Sequence, residues 1–154
     1  MRKSFRFEMQ KNQVLWDQKL FTISKSRGCH LVTSEILKNV PEIKNYKTGI
    51  FHLFLKHTSA SICLNENYDK DVQLDMEDSL NRIVPENNKL YRHTIEGSDD
   101  MPAHVKSALI GTSLTIPIRD GKLELGTWQG IWLLEHRDGM NTRTLVATLN
   151  GISN

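Results

Sequence analysis

Two Asp-Gly pairs in the last third of the chain constrain its fold more than any other feature. Asp-Gly accepts the positive φ angles of a tight hairpin turn, and it is most informative when alternating apolar and polar runs flank it. Ser113–Ile118 and Lys122–Leu125 flank Arg119-Asp120-Gly121, and Gly130–His136 and Thr142–Leu149 flank Asp138-Gly139. The pattern predicts two hairpins in series, with Pro117 confining its strand to an edge or a bulge. Upstream, Phe5, Phe7 and Met9 alternate with polar residues as in a half-buried strand, and Val14–Ile23 reads as a second strand ended by a turn at Ser26-Arg27-Gly28. Gly49–Leu55 is a near-continuous apolar run suited to a central strand, and the alternation of Ala60, Ile62 and Leu64 carries a strand on to Asn65.

Helical signals are fewer. Val72, Met76, Leu80 and Ile83 recur at helical spacing behind Asp69 and Asp71, and Pro85 stops that helix. Thr33–Val40 is a shorter candidate ended by Pro41. A third is framed by Asp100 near its cap, Pro102 in its first turn and Gly111 just past its end. The expected class is α+β, a β-sandwich-like core of about seven or eight mostly antiparallel strands with about three short helices.

A chain of 154 residues, 38% hydrophobic and 25% charged, fits one domain spanning residues 1–154 with a core of its own. The net charge of +2 is spread without a basic stripe, which argues against a nucleic-acid partner. No apolar run approaches the ~18–20 residues of a membrane span, and the N-terminal segment lacks the apolar stretch of a secretory signal. Cys29 and Cys63 make neither a disulfide framework nor a zinc motif. These readings give the expectation of a soluble, cytoplasmic protein.

Polar residues gather in three places. His57-Thr58-Ser59 precedes the Ala60 strand, and Asn65-Glu66-Asn67-Tyr68-Asp69 follows it; His93 to His104 holds two histidines, Glu96 and the pair Asp99-Asp100; Gly126-Thr127-Trp128-Gln129-Gly130 leads to Glu135-His136. The second stretch is the richest. Imidazoles and carboxylates are the ligands of zinc and of magnesium-type cations, and a helix N-terminus beside them favours a phosphate. Capping of the helix by one aspartate is the alternative reading of the same residues.

In sequence order, His57-Thr58-Ser59-Ala60-Ser61, Asn65-Glu66-Asn67-Tyr68-Asp69, Glu96 to Ser107 with its Asp99-Asp100-Met101-Pro102-Ala103-His104 string, and Leu125-Gly126-Thr127-Trp128-Gln129-Gly130-Ile131 resemble the YjbQ family, whose members are also called secondary thiamine-phosphate synthases. The Arg27-Gly28-Cys29 and Ile118-Arg119-Asp120-Gly121 segments are similar too, so the resemblance covers nearly the whole chain. It implies a homotrimer with polar pockets near the subunit boundaries. It also implies a weak activity that joins hydroxymethylpyrimidine diphosphate to thiazole phosphate and releases pyrophosphate. That reaction calls for a divalent cation, zinc or magnesium, or for Lys and Arg to neutralise the leaving group. On this resemblance His57, His93 and His104 are the metal-ligand candidates. His57, Glu66, Asp99, Asp100 and Glu135 are the catalytic candidates. Thr58, Ser59, Asn65, Lys106, Arg119, Trp128 and Gln129 are the substrate-binding candidates, with Lys106 and Arg119 facing phosphate and Trp128 stacking on a pyrimidine. A metal-dependent hydrolase of a phosphorylated small molecule and a non-catalytic trimeric binder of small anions are the competing classes.

Overall fold

A computed structural model describes residues 13–154, so the strand expected at Phe5–Met9 lies outside the described residues. The elements run β1 (Val14–Leu31), α1 (Thr33–Asn39), a 3-10 turn (Pro41–Asn45), β2 (Tyr46–Leu55), β3 (Ala60–Glu66), α2 (Lys70–Ile83), α3 (Asp100–Ile110), β4 (Ser113–Arg119), β5 (Lys122–Leu123) and β6 (Gln129–Ser153). The three helices and the α+β class are as expected. In place of a seven- or eight-stranded sandwich, the described residues form one curled six-stranded antiparallel sheet in the order β1-β6-β2-β4-β5, with β3 also on β6.

The difference comes from the second Asp-Gly pair. The first makes the expected hairpin: Asp120 and Gly121 both have positive φ (46° and 75°), and Ile118 and Arg119 pair with Leu123 and Lys122. Asp138-Gly139 instead lies in a bulge inside a 25-residue strand. The β1–β6 register jumps from Ser26 opposite Met140 to Gly28 opposite Glu135, so His136–Gly139 loop out opposite Arg27 alone. A hairpin would fold β6 back on itself; here both halves keep pairing with the same strand, β1. The bulge is closed by the Asn141 side-chain amide, which donates to the carbonyls of Arg137, Asp138 and Gly139. For the same reason Ser26-Arg27-Gly28 is a bend within β1 and not its end.

The strand expected to run from Gly49 to Asn65 is also divided. β2 and β3 lie end to end along one edge of β6, Leu55 opposite Leu145 and Ala60 opposite Glu135, with Lys56–Ser59 crossing between them. Nine β6 residues separate those two registers against four on the facing side, so the gap falls beside the bulge. Pro117 sits where its missing N–H disturbs little, since β5 covers only Ile118 and Arg119.

The sheet is covered on both faces around the first half of β6. One face packs Ile62, Leu133, Leu145 and Phe51 against Val32, Ile36 and Val40 from α1 and its flanks. The other packs Cys29, Trp132 and Leu134 under Leu80, Val72 and Met76 of α2 and Ile110 of α3. α2 begins as its sequence suggests, with the Asp69 carboxylate accepting the Asp71 N–H at 2.9 Å. α3 does not. Asp99 occupies its N-cap position, yet makes no side-chain cap bond.

Candidate metal centre and groove

The carboxylates at the start of α3 are withheld from capping because they are used elsewhere. Asp99 accepts from Arg137 Nε at 2.8 Å and from the Asp138 N–H at 2.9 Å, so it fastens α3 to the β6 bulge. Burial alone would raise its pKa, but these donors and the Arg137 charge hold it below the usual carboxylate value. Asp100 is almost fully buried. Its Oδ1 accepts from Arg137 Nη1, and its Oδ2 lies 2.8 Å from His93 Nε2 and 3.2 Å from His104 Nε2. Burial opposes ionisation of Asp100 as well, and is outweighed by His93, Glu96, His104 and Arg137, leaving its pKa lowered.

Asp100 and His104 are one helical turn apart and so share a face of α3. The segment before the helix returns His93 and Glu96 to that face, with Glu96 Oε2 3.3 Å from His93 Nε2. One ligand atom from each of His93, Glu96, Asp100 and His104 lies within 4.8 Å of the others. The surrounding bonds suit a metal. His104 Nδ1 donates to the Thr58 carbonyl at 3.0 Å, the tautomer that leaves Nε2 with a free lone pair facing the cluster. Arg137 Nη2 donates to the Glu96 carbonyl at 2.8 Å and holds the loop in place. Four donors, two imidazoles and two carboxylates, match the number and type of a tetrahedral zinc site.

Beside this cluster is a buried chain of charge. Glu135, with no exposed surface, accepts from Arg143 Nε and Nη2 at 2.6 Å each and from the Arg137 N–H at 2.9 Å. Arg143 Nη1 reaches His57 Nε2 at 2.6 Å, and His57 Nδ1 accepts the Ser59 N–H at 3.0 Å. Both ring nitrogens of His57 thus face N–H groups, and burial together with Arg143 lowers its pKa. His57 is thereby held in its neutral form, with neither ring nitrogen free. Ser59 links the two groups, its hydroxyl 3.2 Å from His104 Nδ1.

His57 and His104 both line an open groove of about 1090 Å³. Phe54, Leu55 and Ala108 give it an apolar wall, and Lys56, Thr58 and Ser107 add polar groups. The structure therefore gathers His57, Thr58, Ser59, His93, Asp99, Asp100, His104 and Glu135 of the expected site. It places the rest elsewhere in the chain. Asn65, Glu66, Trp128 and Gln129 line a separate 560 Å³ hollow with Tyr68 at the far end of β3, roughly 20 Å away for a strand of that length. Lys106 does not face the groove: it is fully buried, its Nζ donating to Asn81 Oδ1 at 2.5 Å. Arg119 pairs with Glu124 at 2.9 Å on the β4–β5 hairpin. His57 contacts Arg143 and is not among the four clustered donors.

Two contributors, Arg137 and Arg143, were not singled out from sequence. Arg143 had a signal: Arg143, Leu145, Ala147 and Leu149 alternate in one phase, which puts an arginine in line with core residues. Arg137 had none, because its direction depends on the bulge.

These features define a class, an antiparallel α+β protein with a histidine–carboxylate centre beside an open groove. Residues 19–152 match the family model described as UPF0047 protein YjbQ-like. The chain belongs to this family. The UPF0047 protein YjbQ of Escherichia coli O157:H7 is 51% identical over 138 residues, covering 89% of this chain and 99% of that protein. The UPF0047 protein YugU of Bacillus subtilis is 39% identical over 104 residues, covering 68% and 76%. Among solved structures, an uncharacterised conserved YjbQ/UPF0047 family protein of Clostridium acetobutylicum superposes with a TM-score of 0.72 at 34% identity, over 83% of this chain and 97% of that one. A hypothetical protein of Aeropyrum pernix gives 0.75 at 26% identity, over 87% and 97%. No helix among the described residues is long and apolar enough to cross a membrane.

Proposed function

We propose that this chain is a divalent-cation-dependent transferase acting on phosphorylated heteroaromatic molecules, in the manner of a thiamine-phosphate synthase. The observation that supports it is the convergence of His93, Glu96, Asp100 and His104, the last of which also lines a groove large enough for such substrates. In this reading those four residues hold a cation, zinc fitting the mixed nitrogen and oxygen donors better than magnesium. When bound, it supplies positive charge to a leaving pyrophosphate. The chain's own residues do the rest. Phe54, Leu55 and Ala108 receive the flat ring, Lys56 attracts phosphate, and Arg137 holds Asp100 and the Glu96 carbonyl so that the donor set is preformed.

A second reading is metal-dependent hydrolysis of a phosphorylated small molecule, favoured by the same histidine–carboxylate cluster, since a zinc held by three of its donors would activate a water. The proposal includes a homotrimer. It is supported by an exposed sheet face on which Trp16 and Ile50 flank Asn150, and Leu20 and Phe54 flank Val146.

The test is turnover of hydroxymethylpyrimidine diphosphate with thiazole phosphate, before and after chelation and with zinc restored, for the parent chain and for His104→Ala. Coupled product that requires zinc and is lost in His104→Ala is expected. Phosphate release from one substrate alone turns the assignment to a hydrolase, and tight binding with no turnover of either kind turns it to a binding protein. Sedimentation equilibrium at the mass of one chain removes the trimer.

A further inference from the structure

A second hollow lies on the other side of the sheet from α3, against α1, the 3-10 turn and the β4–β5 hairpin, and the proposed reaction does not use it. Its volume is about 610 Å³, within the range of small-molecule sites. Leu37, Pro41, Ile43, Leu123 and Leu125 make its apolar lining. Three lysines stand at its rim: Lys38 from the end of α1, Lys44 from the 3-10 turn and Lys122 from β5. The hairpin is fixed against the turn by a close approach. A Cβ on Gly121 would lie 3.1 Å from Lys44 Cα and 3.2 Å from its carbonyl oxygen, at a φ of +75° that already favours glycine. That contact brings the hairpin backbone just before Lys122 against the backbone of Lys44.

The charge around the hollow is uneven. Of the nearby acids, Glu42 is engaged with Lys19 at 2.6 Å, Glu35 with Lys25 at 2.5 Å and Glu124 with Arg119 at 2.9 Å, which leaves Asp120 on the hairpin as a single negative charge against three lysines. Among the described residues Lys38, Lys44 and Lys122 have no carboxylate within salt-bridge distance. Three like charges around an apolar cavity repel one another, and an anion placed among them relieves that repulsion. Apolar walls below and cations above define the complementary molecule: a hydrocarbon or aromatic body buried in the hollow, with an anionic head at the mouth.

We infer that this hollow is a binding site for a small amphipathic anion, a phosphate or carboxylate ester or acid with an apolar body of about 8–10 heavy atoms. The site is independent of the groove at His57 and His104. Neither part of the ligand is sufficient: inorganic phosphate lacks the buried body, and an uncharged alcohol lacks the head.

The experiment is calorimetric titration of the full chain with octyl phosphate, octanoate, octanol and inorganic phosphate, with amide chemical-shift mapping of the same samples. Saturable binding of octyl phosphate at one per chain is expected, with shifts at Leu37, Lys38, Gly121, Lys122 and Leu123, weakened by added salt. Octanol and inorganic phosphate should each bind at least 10-fold more weakly. The relative affinity of octyl phosphate and octanoate tells which head group the site prefers. Lys44→Gln with Lys122→Gln removes two exposed charges without touching the apolar lining, and should weaken octyl phosphate roughly 5–30-fold while leaving zinc binding as in the parent chain. His104→Ala, in contrast, should leave octyl phosphate binding unchanged even if it abolishes turnover. Absence of saturable binding up to millimolar concentration overturns the inference. So does equal binding of octanol, or shifts confined to the groove at His57 or to the Trp16 sheet face.

Discussion

Two polar networks built from the same residue types lie on either side of the β6 bulge, and they are used differently. One joins Glu135, Arg143, His57, Ser59, His104, Asp100 and Arg137, and includes two histidines that line a groove. The other lies under α2. Arg27 bonds Glu77 at 3.1 Å, Asn81 at 2.8 Å and Asp138 at 3.0 Å, Asn81 also takes Lys106 Nζ, and His136 Nε2 meets Ser61 Oγ at 2.8 Å. In the first network the buried groups support side chains that point outward. In the second they point at one another. Lys106, His136 and Ser61 are all at 1% exposure or less. Residue type alone does not tell a site from a brace; what each group faces does.

The largest effect that sharpens this comparison is on stability, in the groove-side network. Arg143→Met leaves Glu135 buried with a single remaining donor, the Arg137 N–H, and removes the guanidinium that holds His57. Breaking a buried pair on one side costs about 3–5 kcal/mol. Urea unfolding should show a loss of that size, and the folded fraction should bind added zinc as the parent chain does, because none of His93, Glu96, Asp100 and His104 touches Arg143. A loss below about 1 kcal/mol would show that the pair is hydrated and that the network is not continuous.

The sequence carried the helices well, because their signals are local: Asp69 ahead of Val72, Met76 and Leu80, and Gly111 after α3. It carried the first Asp-Gly hairpin for the same reason. The second Asp-Gly failed as a hairpin because a positive φ at Gly139 is equally good in a bulge, and only the long-range pairing of β1 with both halves of β6 decides between them. The histidine–carboxylate cluster was legible as a density of ionisable groups between His93 and His104. That these aspartates do not cap the helix was not, since it depends on Arg137 taking Asp99 and Asp100 away from the helix end. Lys106 lies on the core-facing side of α3 and not on the groove side. Whether a lysine in a helix looks toward a groove or into the core is set by packing partners on α2, which lie about 25 residues away in the chain.

A smaller effect tests the inner network through pH. Burial, with Lys106, Arg27 and Arg143 adding to it, pushes the His136 pKa down to about 3 from an ordinary 6.5. Between those values the unfolded chain binds a proton at this position that the folded chain refuses. Stability is therefore unaffected by His136 above pH 6.5 and falls as pH drops through 6.5 toward 3, with a slope approaching 1.4 kcal/mol per pH unit for one proton. His136→Gln keeps a side chain able to bond Ser61 and has no such titration. Thermal or urea melts at pH 6, 5 and 4 should show a steeper decline for the parent chain than for this variant, and identical slopes would place His136 in contact with water.

The smallest effect is expected at Lys106, and its smallness is the informative outcome. Lys106→Met removes an ammonium whose own pKa is lowered by burial, so the charge is a cost to folding as well as a partner to Glu77 and Glu86. Asn81 Oδ1 keeps its bond from Arg27 Nη2, so no acceptor is orphaned. A hydrophobic side chain of similar volume in place of a buried charge is often neutral or stabilising, and the change in unfolding free energy should be under about 1 kcal/mol. The substitution also withdraws one of the cations that depress His136, so the His136 pKa should rise from about 3 and the acid loss of stability should end at a higher pH. Zinc binding and turnover should match the parent, because Nζ faces α2 and not the groove. A loss of turnover in a chain that melts normally would instead join the two networks, and would make Lys106 part of the site it was expected to serve from its sequence.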